Sequence, residues 1–145
     1  MNVDETWIGM SDFRRRKWCR HRHINSVAQL QIMPRISMIC GLDTNGELYL
    51  SLVQANSNSS VMQIFFTHLI KLLDSMDAKW RNTYIILLDN APYHRSRDML
   101  KFLEANNIPC IFTGPHSYDA SPIELFFAHF KAADINPRNV KTGKK

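Results

Sequence analysis

The sequence predicts an α/β fold, a mixed five-stranded sheet flanked by helices, on three observations. Two apolar segments, 36–42 and 48–53, are joined by a turn that contains Asn-Gly, which is a strong signal for a β-hairpin. The uncharged run 84–88 ends on Asp89 and is typical of a buried central strand. Apolar residues recur at helical spacing between the later strand-like segments. The predicted order along the chain is therefore β-β-β-α-β-α-β-α.

Local patterns place each element of this order. Five segments combine apolar content with flanking turn residues and are predicted as strands: 3–8, 36–42, 48–53, 82–89 and 108–113. In the third of them leucines alternate with other residues, as in a half-buried strand. Three segments are predicted as helices: one that begins at a Ser60/Gln63 capping box, one over 95–106 that stops at Asn106-Asn107, and one that begins near Pro122.

Composition fits one compact domain. The 145 residues are 45% hydrophobic and carry a formal net charge of +5. No apolar run is long enough to cross a bilayer, and the start of the chain lacks the pattern of a signal peptide. We therefore expect no membrane partner.

Basic side chains are concentrated in two places. One is the segment 14–22, whose cationic members are Arg14, Arg15, Arg16, Lys17, Arg20 and Arg22. Such a cluster favours a polyanion such as DNA or RNA, because it neutralises phosphates and releases counterions. A solvated surface run explains the same residues equally well. The other place is the end of the chain, where we expect a solvated basic tail over 132–145 that lies outside a domain formed by residues 1–131.

Three carboxylates are candidates for a shared site. Asp89 ends the predicted central strand, and functional groups of open α/β sheets gather beyond the carboxyl ends of the strands. Asp4 would lie beside it if the first and fourth strands are neighbours, and Glu124 is at the start of the last helix. Carboxylates that converge without a cationic partner repel one another, and Mg²⁺ relieves that repulsion. Each residue also has a structural interpretation: Asp89 as a turn residue, Glu124 as a helix cap and Asp4 as surface charge.

Three motifs carry a family resemblance: NVDETWI, ILLDNAPYH and GPHSYDASPIELFF, in this order. Together they resemble the catalytic domain of DDE transposases, and more narrowly that of the Tc/mariner superfamily, whose fold is RNase H-like. Residues 90–123 separate Asp89 from Glu124, and this 34-residue interval is that of the family's Asp-Asp-Glu branch. Asp119 is the nearest rival for the third acid, but it is too close to Asp89 for that branch. The resemblance implies an RNase H-like catalytic domain over residues 1–131.

The resemblance also implies the chemistry of the site. Asp4, Asp89 and Glu124 would be the catalytic triad and would hold two Mg²⁺ ions, with Mn²⁺ as a substitute. The implied reactions are DNA strand cleavage and transfer of a 3′-hydroxyl end, which require no protein nucleophile. His94 matches the family motif and would either contact DNA or water near the site or make a structural hydrogen bond, which we favour. The implied substrate is DNA, and no small-molecule substrate is expected.

Transposases of this family carry helix-turn-helix modules ahead of the catalytic domain, which recognise the ends of the element. This chain begins almost at Asp4, so we expect a catalytic core without these DNA-recognition modules. Whether such a core is active in isolation is left open by the sequence. Two other functions stay open: a catalytically idle nucleic-acid-binding or assembly module, and an RNase H-like nuclease that cleaves without strand transfer. Pairing of two copies on DNA is a further expectation, as is a nuclear location, or a cytoplasmic one in a prokaryote.

Overall fold

The computed structural model describes residues 1–8, 36–114 and 121–132, and its elements follow the predicted order. The strands are β1 (Asn2–Ile8), β2 (Ile36–Leu42), β3 (Leu48–Val53), β4 (Ile86–Leu88) and β5 (Cys110–Phe112). The helices are α1 (Ser59–Met76), α2 (Arg97–Ala105) and α3 (Pro122–Ala132), and a 3₁₀ turn covers Trp80–Asn82. None of the helices in these ranges is long and apolar enough to cross a membrane.

The five strands form one mixed sheet in the order β3-β2-β1-β4-β5. The first three strands are antiparallel neighbours, whereas β4 pairs in parallel with both β1 and β5. Parallel neighbours require a crossover connection, and α1 and α2 supply the helical part of those connections. The prediction of a mixed five-stranded sheet flanked by helices is confirmed.

Side chains that alternate along the strands form a core on each face of the sheet. Val3 and Ile39 face the larger cluster, to which α1 and α2 contribute. Met38 and Cys40 face the smaller cluster, which α3 closes with Ile123 and Phe127. The sheet is therefore covered by α1 and α2 on one side and by α3 on the other.

The hairpin between β2 and β3 forms as predicted, but only one turn residue has a positive φ. Gly46 adopts φ 85°, and the Asp43 carboxylate accepts hydrogen bonds from the backbone N–H groups of Asn45 and Glu47. On β3 the alternation is present, yet the leucines lie on the more exposed face, with Leu50 53% exposed. Tyr49 is on the opposite face and packs against the larger core, because α1 covers that face at this edge of the sheet.

Two helix starts differ from their predicted positions. The N-cap of α1 is Asn58, whose side chain accepts from Val61 N at 2.9 Å, so Ser60 lies inside the first turn and does not cap it. The helix α2 begins at Arg97, two residues after the predicted start at 95. Its N-cap is Ser96, whose Oγ accepts a hydrogen bond from the backbone N–H of Met99 at 3.2 Å. In both cases a side-chain oxygen satisfies a first-turn N–H group that has no partner within the helix.

The central strand β4 is shorter than its predicted range, 82–89. Thr83 N and Tyr84 N both donate to Trp80 O, so these residues close the 3₁₀ turn and do not pair with a strand. The end of α2 is as predicted, because Asn106 is its C-cap and Asn107 adopts φ 50°. The helix α3 begins at Pro122 and runs to Ala132, one residue beyond the predicted domain boundary. The predicted basic tail lies outside the described residues, and the domain division stays a prediction.

Candidate active site

Asp4 and Asp89 lie at the same level of two adjacent parallel strands. The register of β1 and β4 pairs Asn2 with Leu87, and Asp4 and Asp89 each follow two residues later. Strand β1 pairs Asp4 with Cys40, whose side chain belongs to the core under α3. Asp89 comes directly after β4, at the carboxyl end of the sheet, and half of its side chain is exposed. The structure therefore brings the first two predicted acids to the same level of adjacent strands, at the point where β4 ends.

Asn2 fixes the start of α3, and with it Glu124, against β1. Its buried Oδ1 accepts from Ser121 Oγ at 3.0 Å and from Ile123 N at 3.2 Å. Its Nδ2 donates to Leu87 O at 3.4 Å, so one side chain joins β1, β4 and α3. Glu124 occupies the first turn of α3 and carries the third predicted carboxylate on the side of the sheet that Asp4 faces.

We expect Asn2→Ala to lower the free energy of unfolding by about 2–3 kcal/mol, since the buried Ile123 N–H loses its acceptor. Ser121→Ala removes only one hydroxyl donor and should cost about 1 kcal/mol. Urea denaturation of the two variants measures both values. Equal losses in the two variants would contradict this role of Asn2.

The charges of the three acids interact. Burial raises the pKa of Asp4 to about 7; the backbone N–H of Glu5 opposes this rise, and the negative charges of Glu5, Asp89 and Glu124 add to it. The Glu5 N–H donates to Asp4 Oδ1 at 2.8 Å. A nearby positive charge would therefore stabilise the ionised form of Asp4, and the described side chains whose charges shift its pKa are all acidic.

Glu5 points to the opposite face of the sheet from Asp4, since successive side chains of a strand alternate. Its side chain is almost completely buried and lies 3.5 Å from His94, measured from Oε2 to Nε2. His94 is fully buried, and its Nδ1 lies 2.6 Å from Asp89 Oδ1. Burial lowers the pKa of His94, but the two carboxylates outweigh it and raise that pKa to about 9. The imidazole is accordingly held between two acids.

Hydrogen bonds from His94 and from the backbone of Ala91 orient the side chain of Asp89. Its Oδ1 accepts from His94 and from the backbone N–H of Ala91 at 2.9 Å, and the hydrogen bond with His94 is the main reason that its pKa is lowered. The structural hydrogen bond favoured for His94 is therefore present. His94 is fully buried in this structure, and its contact with DNA or water near the site stays a prediction.

An exposed cation lies near Asp89. Arg95 donates from Nη1 to Asn90 Oδ1 at 2.6 Å, and its guanidinium lies over the ring of Phe112, 4.8 Å from the centroid. Asn90 in turn donates to Thr113 O and so joins the ends of β4 and β5. These contacts hold one positive charge at the edge of the sheet where Asp89 lies.

Carboxylate oxygens are the ligands that Mg²⁺ prefers, and a mutually repelling acid set suits a divalent cation. In the part of the chain that the structure describes, however, no three His, Cys, Asp or Glu side chains are arranged to hold a metal ion. The chemistry of the donors fits the predicted metal, while the described geometry is that of neighbouring acids and not of a closed cage. The predicted basic cluster at 14–22 and Asp119 lie outside the described residues.

Sequence reasoning assigned no role to Asn2, Glu5 or Arg95. The structural interpretation of Asp4 as surface charge does not hold, because its side chain is partly buried and this burial raises its pKa to about 7. Strand alternation was the available signal: two adjacent acids on a strand face opposite sides, so one of them must enter a core if both faces are covered. The contacts of Asn2 span more than a hundred residues along the chain and leave no local signal.

The geometry agrees with comparisons to known proteins. A family model described as DDE superfamily endonuclease matches residues 1–145, and the chain belongs to that family. The Mos1 transposase paired-end complex with left transposon end has a similar fold, with a TM-score of 0.65 and 23% identity over 90% of this chain. The catalytic domain of Mos1 mariner transposase gives a TM-score of 0.63 and 21% identity over 90% of this chain.

These matches confirm the resemblance to DDE transposases and the RNase H-like fold. The catalytic domain of Mos1 transposase with raltegravir and Mg gives a TM-score of 0.64 at 20% identity, and 92% of this chain is covered. This chain spans 40% of the length of the transposase in the paired-end complex and 59% of the catalytic domain. A comparison with curated protein sequences gave no significant match.

Proposed function

We propose that this chain is the catalytic domain of a Tc/mariner-type DNA transposase, which cleaves DNA strands and transfers 3′-hydroxyl ends. The observation that carries the proposal is that Asp4 on β1 and Asp89 just after the parallel strand β4 lie at the same level, while the charge of Glu124 at the start of α3 acts on Asp4. Membership of the DDE superfamily endonucleases supports the same activity.

Asp4, Asp89 and Glu124 would hold divalent cations, Mg²⁺ in the cell and Mn²⁺ as a substitute. Solved structures of the Mos1 catalytic domain with Mg and with Mn support this choice. When bound, such ions neutralise a phosphate and lower the pKa of a coordinated water. The chain's own contribution is to hold Asp89 by His94 and Ala91, to keep Asp4 enclosed, and to fix α3 by Asn2. Positioning of this kind is most of what phosphoryl transfer requires from a protein.

DNA would approach the exposed side of Asp89. Arg95 carries a positive charge there and is restrained by Asn90 and Phe112, so it can contact a phosphate with little loss of side-chain entropy. The basic segment 14–22 would extend the contact along the DNA backbone. Pairing of two copies on DNA belongs to the proposal, as does a nuclear location, or a cytoplasmic one in a prokaryote.

The test is cleavage of a labelled DNA duplex by the purified chain in Mg²⁺, Mn²⁺, Ca²⁺ or EDTA, with Asp89→Ala as the inactive control. The same reactions are run with a sequence-specific DNA-binding domain fused to the N terminus, because tethering raises the local DNA concentration. We expect strand cleavage in Mg²⁺ and Mn²⁺ that Asp89→Ala abolishes, and joining of 3′ ends to target DNA.

Two other outcomes of this assay would each indicate a different function. Cleavage without joining in both formats identifies a hydrolytic RNase H-like nuclease. DNA binding without any metal-dependent cleavage in either format identifies an idle binding or assembly module and rejects the proposal.

A further inference from the structure

A buried charged pair lies directly behind Asp89. His94 is fully buried, and its Nδ1 is 2.6 Å from Asp89 Oδ1. On the other side of the ring, Nε2 is 3.5 Å from Glu5 Oε2, which is too long for a hydrogen bond. Among the described residues neither Nε2 nor Oε2 has another hydrogen-bond partner. The three side chains form a row from the core to the edge of the sheet.

Charged side chains in this row contribute less to stability than apolar side chains of similar volume would. Glu5 faces the side of the sheet where Val3 and Ile39 are packed into the larger apolar cluster. A buried ion pair with unmet hydrogen bonds is no more stable than apolar residues of similar volume, and is frequently less stable. The Tyr93 ring, with its centroid 4.7 Å from that of His94, adds only an edge contact. Stability therefore does not account for the pair.

The hydrogen bond from this row of side chains reaches one oxygen of Asp89, Oδ1. Both hydrogen bonds observed for this carboxylate among the described residues, from His94 and from Ala91 N, are accepted by Oδ1. They restrict rotation of a side chain that is 51% exposed and that lies on the chain after β4 has ended. Among the described residues no hydrogen bond is made by Oδ2, so this is the oxygen of Asp89 that is left for a cation.

We propose that His94, itself held by Glu5, is a positioning residue that fixes the Asp89 carboxylate for a divalent cation. This inference rests on the proposed function and deepens it, since it assigns the orientation of one ligand to a pair of side chains that touch neither DNA nor the ion. Partners that orient a metal ligand in this way typically change metal affinity by about 10- to 100-fold when they are removed.

The test measures Mn²⁺ affinity by calorimetry on the metal-free 145-residue chain, together with thermal unfolding and DNA cleavage. The variants are His94→Ala, which removes the donor, His94→Asn, whose amide nitrogen replaces Nδ1, and Glu5→Gln, which removes the second carboxylate. Leu103→Ala is the matched control, because Leu103 is buried in the same core on α2 and its apolar side chain cannot donate a hydrogen bond to Asp89.

We expect His94→Ala to weaken Mn²⁺ binding about 10- to 100-fold, and His94→Asn to restore most of it. Glu5→Gln should weaken binding by a smaller factor, and Leu103→Ala should lower the melting temperature without changing the affinity. If His94→Ala does not fold, Glu5→Gln carries the comparison with Leu103→Ala, and wild-type Mn²⁺ affinity in Glu5→Gln overturns the inference.

Three other results also overturn it. They are wild-type Mn²⁺ affinity in a folded His94→Ala chain, an equal loss of affinity in Leu103→Ala, and no rescue by His94→Asn. Failure of the proposed function looks different, because the wild-type chain then binds no Mn²⁺ and cleaves no DNA.

Discussion

Asp4→Asn will reduce metal-dependent cleavage by about 10³-fold or more, while the metal-free chain remains at least as stable as wild type. The loss follows because a neutral amide cannot replace a carboxylate that neutralises a cation. The stability follows because Asp4 is enclosed beside three other acids, so its charge is unfavourable when no cation is present. Cleavage assays and urea denaturation in EDTA measure the two effects. A clear loss of stability in EDTA would show that Asp4 is a structural residue.

The pH dependence of stability in EDTA isolates this carboxylate. The pKa of Asp4 is raised to about 7 in the folded chain from 3.8, so its contribution is fully present below 3.8 and is lost as pH rises through about 7. Between about pH 4.5 and about 6.5 the stability of wild type should fall relative to Asp4→Asn, by at most about 1.4 kcal/mol per pH unit. Parallel pH profiles for the two proteins would contradict the raised pKa.

Asp43→Ala will have the opposite effect, a loss of about 3 kcal/mol in the free energy of unfolding with no change in cleavage per folded molecule. The Asp43 carboxylate accepts hydrogen bonds from Asn45 N, Glu47 N and the Tyr84 hydroxyl, at 2.8, 2.9 and 3.1 Å. Removing it breaks all three hydrogen bonds, two of which hold the turn that joins β2 to β3.

The hydrogen bonds of Asp43 also set its pH dependence. Burial raises its pKa, but the accepted hydrogen bonds outweigh burial and leave the pKa lowered. Its stabilising effect is therefore present above 3.8 and is lost as pH falls through the lowered value. Asp43→Asn keeps one acceptor oxygen and should cost less than Asp43→Ala in urea denaturation. Impaired cleavage in a fully folded Asp43 variant would place this residue in the active site and contradict the assignment.

The order of elements was predictable because each depends on local chemistry. Pro122 at the start of α3 and Asn106-Asn107 at the end of α2 act through backbone conformations that neighbouring residues decide. The strand range 82–89 was too long, since hydrophobicity alone does not distinguish a paired strand from the turn that Trp80 closes. The face of β3 that α1 covers depends on how the helix packs, and alternation alone carries no such information.

The candidate site was predictable only in part. Asp4 and Asp89 follow from the expectation that parallel strands end at one edge of the sheet, and the register of β1 and β4 brings them together as expected. Their roles as ligands stay a prediction until metal binding is measured. The pairing of Glu5 with His94 was not predictable, because it depends on which side of the sheet each side chain enters.

The positions of the three acids differ in how well they tolerate a shift along the chain. One is on β1 and one directly follows its neighbour β4, where a shift of one position turns a side chain to the other side of the sheet, so an insertion or deletion in either strand would remove that acid from the group. The third is on a helix, where residues three or four positions apart share a face. A substitution that moves this acid by three or four positions along α3 would therefore keep it on the same face, and a protein engineer would find freedom there that the two strands do not offer.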